Sequence, residues 1–220
     1  MRKEIQKKTS GYYRNEFNNI AWLYDPLIRA LGYFVGGERR IRRRVLTLLN
    51  IQSGDKVLDA ACGTGTSALI MAEMVGANGE VVGIDLSPKM IEIAKSKIKS
   101  PNISFLCANI EDISYPDNYF DKAHISLALH EMIHEGRVNT LREIHRVLKP
   151  SGIFVVADFG NPRGLFARFL FKILMLVETD TARDMMKRGL LNEIKDAGFI
   201  VEEVIILLGG IAQIIVAGKS

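Results

Sequence analysis

The sequence predicts an α/β fold: a doubly wound, mostly parallel seven-stranded sheet that ends in an antiparallel C-terminal hairpin. Three observations lead there. From about residue 56 onward, apolar strand-like runs alternate with amphipathic helical segments; the connections between them are short; and a glycine-rich turn follows the first run. Alternation of this kind implies βαβ crossovers, which place helices on both faces of a parallel sheet.

The runs Lys56–Ala61, Glu80–Asp85, Ile103–Cys107, Asp121–Leu129 and Gly152–Asp158 read as strands buried on both faces. Ser87 followed by Pro88 marks a helix start, with Met90, Ile91, Ala94 and Ile98 at helical spacing behind it. Val138, Leu141, Ile144 and Leu148 repeat that spacing in a second helix, which Lys149-Pro150-Ser151-Gly152 stops. Val201–Leu208 and Ile211–Ala217, joined at Gly209-Gly210, form the hairpin. Residues 1–50 read as a helical segment laid over the sheet, and residues 51–220 as one compact unit.

Composition limits the classes that remain. The chain has 220 residues, 48% hydrophobic and 25% charged, which suits one globular domain with a short extension. Two cysteines are too few for a disulfide scaffold, and no Cys/His cluster has metal-ligand spacing, so no metal site is expected. The N-terminus lacks the apolar stretch of a secretory signal, and the longest uncharged run, Val204–Gly218, is 15 residues. A membrane helix needs about 20. A cytoplasmic protein is expected, with membrane contact at its surface left open. Residues 1–50 carry 11 Lys and Arg against 4 Asp and Glu, so the basic excess belongs to the N-terminal segment, where it serves either an anionic partner or a solvated helix face.

Asp59-Ala60-Ala61-Cys62-Gly63-Thr64-Gly65 leaves the first strand and enters the first helix, where open α/β sheets bind ligands. Asp85, twenty residues beyond Gly65, ends the second strand, where a carboxylate can accept hydrogen bonds from both hydroxyls of a ribose. The spacing signals a nucleoside-containing cofactor. Gly63-Thr64-Gly65-Thr66-Ser67-Ala68 also fits a dinucleotide pattern. Asp59 decides against it, because a carboxylate beside the glycines opposes a pyrophosphate and favours the sulfonium and ammonium of S-adenosylmethionine.

VLDAACGTG, VVGIDLSPKM, NIEDISYPDNYFD and REIHRVLKPSG, in that order, resemble the successive motifs of class I S-adenosylmethionine-dependent methyltransferases over residues 52–160. The resemblance implies the Rossmann-like methyltransferase fold. It also implies that Gly63 and Gly65, flanking Thr64, approach the methionine part, that Asp85 holds the ribose and that Leu86 packs on the adenine. Asn109 stands where the family often has an aspartate facing the adenine amino group, with the backbone of Ile110 beside it, and Ser126 meets the cofactor through its backbone. Ala61 replaces the first glycine of the family pattern. FNNIAWLYD, GGERRIRRR and AGFIVEEVIILLGGIAQIIVAGK are similar to the ubiquinone and menaquinone C-methyltransferases; between Arg163 and Arg188 that similarity lapses.

Methyl transfer needs two positioned substrates, and a general base only where the acceptor loses a proton. His130, following the fourth strand, is the candidate base, since an ordinary imidazole pKa of about 6.5 suits proton transfer near neutrality. Glu131 and His134 are the nearby alternatives on the acceptor side, Asn161 is a candidate for the acceptor pocket after the fifth strand, and Tyr24, with Trp22, for a lid. His124 reads as a strand packing residue. The apolar stretch Leu165–Val177 has four uses open to it: the roof of a lipophilic acceptor pocket, a membrane contact, a homodimer interface, or packing on the sheet. The expected activity is methyl transfer to a small hydrophobic acceptor such as a quinol ring carbon. The alternatives are N-, O- or S-methylation of another metabolite, or cofactor binding without catalysis. A nucleic-acid partner is not expected, because no Asn-Pro-Pro-aromatic tetrad or Pro-Cys nucleophile follows the relevant strands.

Overall fold

The computed structural model describes residues 38–174 and 180–220. Among them, β1 (Lys56–Ala60), β2 (Glu80–Asp85), β3 (Ile103–Cys107), β4 (Phe120–Ser126), β5 (Leu148–Phe159), β6 (Ile200–Leu207) and β7 (Ala212–Gly218) form one sheet in the order β3-β2-β1-β4-β5-β7-β6. Strands β1 to β5 pair in parallel, and β7 runs antiparallel to both β5 and β6. The order reverses between β1 and β4, which opens a crevice at the carboxyl ends of those strands.

The helices are α1 (Glu38–Thr47), α2 (Thr66–Val75), α3 (Pro88–Ser96), α4 (His134–Val147), α5 (Leu165–Leu174), α6 (Asp180–Arg188) and α7 (Leu190–Asp196). Two cores sandwich the sheet. Val57 and Val81 pack with Leu46, Met71 and Ile91 from α1, α2 and α3. Leu58 and Val82, one residue further along their strands, pack with Leu141, Ile144 and Ile194 from α4 and α7. The pleat sends successive side chains to opposite faces, so both must be apolar in a sheet covered on both sides.

Ser87 caps α3 as its sequence requires, its hydroxyl accepting the Met90 amide at 3.2 Å with Pro88 behind it. The helix ends at Ser96, so Ile98 lies beyond it. The fourth strand stops at Ser126 and not at Leu129. Leu127 takes a left-handed φ of 51° while its amide bonds to the Ala157 carbonyl, and Leu129–Glu131 turns into a 3₁₀ helix. The fifth strand starts earlier than expected, since Leu148 already pairs with Phe120. The Gly209-Gly210 turn is a second 3₁₀ turn, Leu208–Gly210.

Of the expected N-terminal helical segment, α1 lies within the described residues. It docks on α2: Arg39 and Arg43 pair with Glu73, and Arg42 donates to the Ser67 hydroxyl at 3.1 Å. Tyr24 and Trp22 lie outside the described residues. Among those residues no helix is long and apolar enough to cross a membrane.

Candidate active site

The loop after β1 turns through left-handed backbone at Ala61 (φ 54°), Gly63 (φ 54°) and Gly65 (φ 79°). The two glycines serve different ends. A Cβ on Gly63 would meet nothing within 4 Å, so this residue leaves open space in front of the loop, whereas a Cβ on Gly65 would fall 2.5 Å from the Phe105 ring. Gly65 is thus required by packing on β3, and it does not line the cleft. Thr64 is buried, with its carbonyl accepting from Lys97 Nζ at 2.9 Å.

Asp85 fixes that loop to the next one. One carboxylate oxygen accepts the Gly63 amide at 2.8 Å and the other the Ser87 amide at 2.9 Å. Burial raises its pKa above the usual carboxylate value, against the pull of the Ser87 and Gly63 amides, and the charge on Asp59 adds to the rise. A carboxylate offers about four acceptor sites, so two backbone donors leave it able to take hydroxyl donors from the cleft.

Asp59 is buried under the loop. Its Oδ1 lies 2.7 Å from His124 Nδ1, which makes His124 a polar partner of this carboxylate as well as a strand residue. Its Oδ2 is buried without a hydrogen-bond partner. An unmet buried acceptor costs about 1–3 kcal/mol, and a cationic ligand amine would satisfy it. The residues present therefore fit S-adenosylmethionine: an orphaned carboxylate oxygen, an open glycine and a ribose acceptor lie around one loop. Burial, together with the charges on Asp59 and Asp85, pushes the pKa of the neighbouring Cys62 thiol up and so disfavours its thiolate.

Gly63, Asp85, Leu86, Asn109, Ile110, Ser126 and Glu131 all line one cleft at the carboxyl ends of β1, β2 and β4. Asn109 uses its Oδ1 to accept the Glu111 amide at 3.1 Å, which shapes its own loop. Residues that the sequence did not mark for a site complete the wall: Met90 from α3, and Leu127, Ala128, Met132 and Ile133 after β4. A left-handed Leu at a cleft carried no local signal, because the Ala157 carbonyl that holds it is 30 residues away in the chain.

Three candidates on the acceptor side sit elsewhere. His130 is buried, its ring 4.3 Å from that of Phe159, with Nδ1 2.7 Å from Asp158 Oδ1 and Nε2 3.5 Å from Glu131 Oε1. Burial disfavours its charged form, but Asp158 and Glu131 outweigh that and push its pKa up to about 10. The ordinary imidazole pKa expected from the sequence therefore does not hold for His130, which keeps its proton near neutrality and so does not serve as a base there. Asp158 also takes the Leu129 amide at 3.0 Å, so it locks the whole 3₁₀ turn. His134 faces Glu193 of α7, 3.0 Å away, and does not line the cleft. Asn161 is exposed, its carbonyl crowded against Gly210, and does not line it either.

Behind the wall stands a side chain that sequence reading passed over. Arg137 is fully buried, donating twice to Glu193 at 2.8 Å, once to Asp184 at 2.8 Å and once to the Met132 carbonyl at 2.7 Å. It ties α4, α6 and α7 to the cleft.

Comparison with known proteins agrees with this geometry. Residues 57–152 match the family model of a methyltransferase domain. The chain is 36% identical over 197 residues to an uncharacterized methyltransferase of Synechocystis, covering 89% of this chain and 91% of that protein. It is 36% identical over 170 residues to a ubiquinone/menaquinone biosynthesis C-methyltransferase of Geobacter, covering 73% and 71%, and 35% identical over 163 residues to its counterpart in Francisella philomiragia, of which it spans 62%. Among solved structures, an S-adenosylmethionine-dependent methyltransferase from Aquifex aeolicus superposes with a TM-score of 0.66 at 21% identity, covering 87% of this chain and 98% of that one. A [4+2]-cyclase superposes with a TM-score of 0.71 at 20% identity, covering 96% and 97%. Fold alone therefore does not fix the reaction. Motif order, cleft and relatives together do fix the family: the chain belongs to the class I S-adenosylmethionine-dependent methyltransferases, with S-adenosylmethionine as its cofactor.

Proposed function

We propose that this enzyme methylates a small hydrophobic acceptor of the quinol type at a ring carbon. The observation that carries the proposal is the make-up of the cleft beyond Ser126. Leu127, Ala128, Met132 and Ile133 give it an apolar wall, Leu127 and Ile133 are exposed apolar side chains, and Glu131 is the charged group set among them. The curated relatives named for quinone C-methylation support the same acceptor class.

S-adenosylmethionine supplies an electrophilic methyl group on a sulfonium. Asp59 Oδ2 receives the ammonium of the methionine part, and Gly63 leaves room for it. Asp85 accepts the ribose hydroxyls, Leu86 and Ile110 flank the adenine, Asn109 offers the second lone pair of its carbonyl to the adenine amino group, and Ser126 contributes backbone. The apolar wall excludes water and aligns the ring, which is where positioning lowers the barrier. Glu131 takes the proton of the acceptor hydroxyl as the ring carbon gains the methyl and the sulfur–methyl bond breaks; the hydrogen on that carbon then leaves as a proton and the oxygen regains one, which restores the aromatic quinol. His130, held as imidazolium between Asp158 and Glu131, orients that carboxylate and is a positioning residue. Tyr24, which lies outside the described residues, is a candidate acceptor contact.

The test is incubation with a chemically reduced, prenylated quinol and methyl-labelled S-adenosylmethionine, followed by mass spectrometry of the product. Label on a ring carbon is expected. Label on oxygen, or no quinol product beside methylation of a polar metabolite, would overturn the acceptor assignment.

A further inference from the structure

Helix α5 has two apolar faces. Ala167 and Phe171, four residues apart, are buried against the protein, and Phe171 meets the Phe159 ring at 6.0 Å. Leu165 and Phe169, also four residues apart, are 87% and 63% exposed. At 3.6 residues per turn the two pairs stand roughly 160° apart, so the outer face is no fringe of the core. The 3₁₀ turn packs on the buried face, with Gly209 close to Ala167.

The charges on this helix have one sign. Arg168 and Lys172 occupy a stripe between the two apolar ones and are exposed, and Arg163 precedes the helix. From Phe159 to Val177 the chain holds these three cations and no acidic residue. Exposed bulky apolar side chains flanked by basic ones on a helix suit the interface of a bilayer with an anionic surface.

We propose that the outer face of α5 is a docking face for anionic membrane surfaces, with Leu165 and Phe169 entering the headgroup layer and Arg163, Arg168 and Lys172 meeting lipid phosphates. The face adjoins the active site, since Phe171 packs on Phe159 and Phe159 packs on His130. The inference is independent of the acceptor's identity.

Sedimentation of the full chain with phosphatidylcholine vesicles, with and without phosphatidylglycerol, tests it. Binding to the anionic vesicles that weakens in high salt is expected. Leu165→Ser with Phe169→Ser lowers it at least tenfold, and Arg168→Glu or Lys172→Glu each lowers it by about fivefold or more, with melting curves unchanged because all four side chains are exposed. Three results would overturn the proposal: no binding of wild type to anionic vesicles, full binding by the double serine variant, or a wild-type dimer by light scattering that the double variant dissolves, which would make a second copy the occupant.

Discussion

A left-handed backbone at Ala61 (φ 54°) strains the one position of the cofactor loop where an L-residue replaces the glycine of the family pattern. That conformation costs a residue with a Cβ about 1–2 kcal/mol, part of which glycine gives back through its freer unfolded chain. Ala61→Gly is accordingly expected to stabilise the fold by up to about 1 kcal/mol in chemical denaturation, with cofactor affinity unchanged. His130 shows how charge is set by distant neighbours. Its pKa is about 10 in the folded protein against about 6.5 unfolded, so the folded state holds a proton that the unfolded state has released between those values. Its contribution is complete below pH about 6.5 and is lost as pH rises toward 10. The stability difference between wild type and His130→Gln is therefore expected to shrink across that interval, and a difference that stays constant would refute the charged imidazole. The position of His130 after β4 was legible in the sequence. Its protonation was not, because Asp158, which holds it, lies 28 residues away.

Among the elements, strands and capped helices were readable wherever one local cause dominates. Val57, Leu58, Val81 and Val82 announce strands covered on both faces, and Ser87-Pro88 announces the start of α3. Element ends depend on long-range partners: β4 ends because Leu127, after a last ladder bond to the Ala157 carbonyl, turns left-handed and Asp158 claims the amides of Leu129 and His130. Arg137 illustrates the same limit. In the sequence it resembles a surface cation of α4; in the fold it is enclosed by Glu193 and Asp184, 56 and 47 residues further on. Removing one partner from such a network typically costs 3–5 kcal/mol. Arg137→Met leaves Glu193 buried and unmatched, and a loss of this size is expected in thermal or chemical unfolding. Because its guanidinium also holds the Met132 carbonyl, the variant is expected to show weakened acceptor saturation as well.

At the scale of the whole molecule, the reversal of strand order between β1 and β4 creates the crevice, and the loops after β1, β2 and β4 furnish it. Asp85 joins two of those loops while keeping acceptor capacity toward the cleft. Hydrogen bonds to a charged group contribute about 1.5–3 kcal/mol, so Asp85→Ala is expected to weaken cofactor binding by roughly 10- to 100-fold. The cofactor loop was legible because its glycines and carboxylates act within one stretch of chain. The apolar wall of the cleft was not, since it is assembled by a strained Leu127 and by the turn that Asp158 anchors. Calorimetric titration of wild type and Asp85→Ala with S-adenosylmethionine and NAD tests the central claim most directly. Wild type should bind S-adenosylmethionine and not NAD, and the folded variant should bind it at least tenfold more weakly. Equal affinity in the two proteins, or binding of NAD in preference, would contradict it.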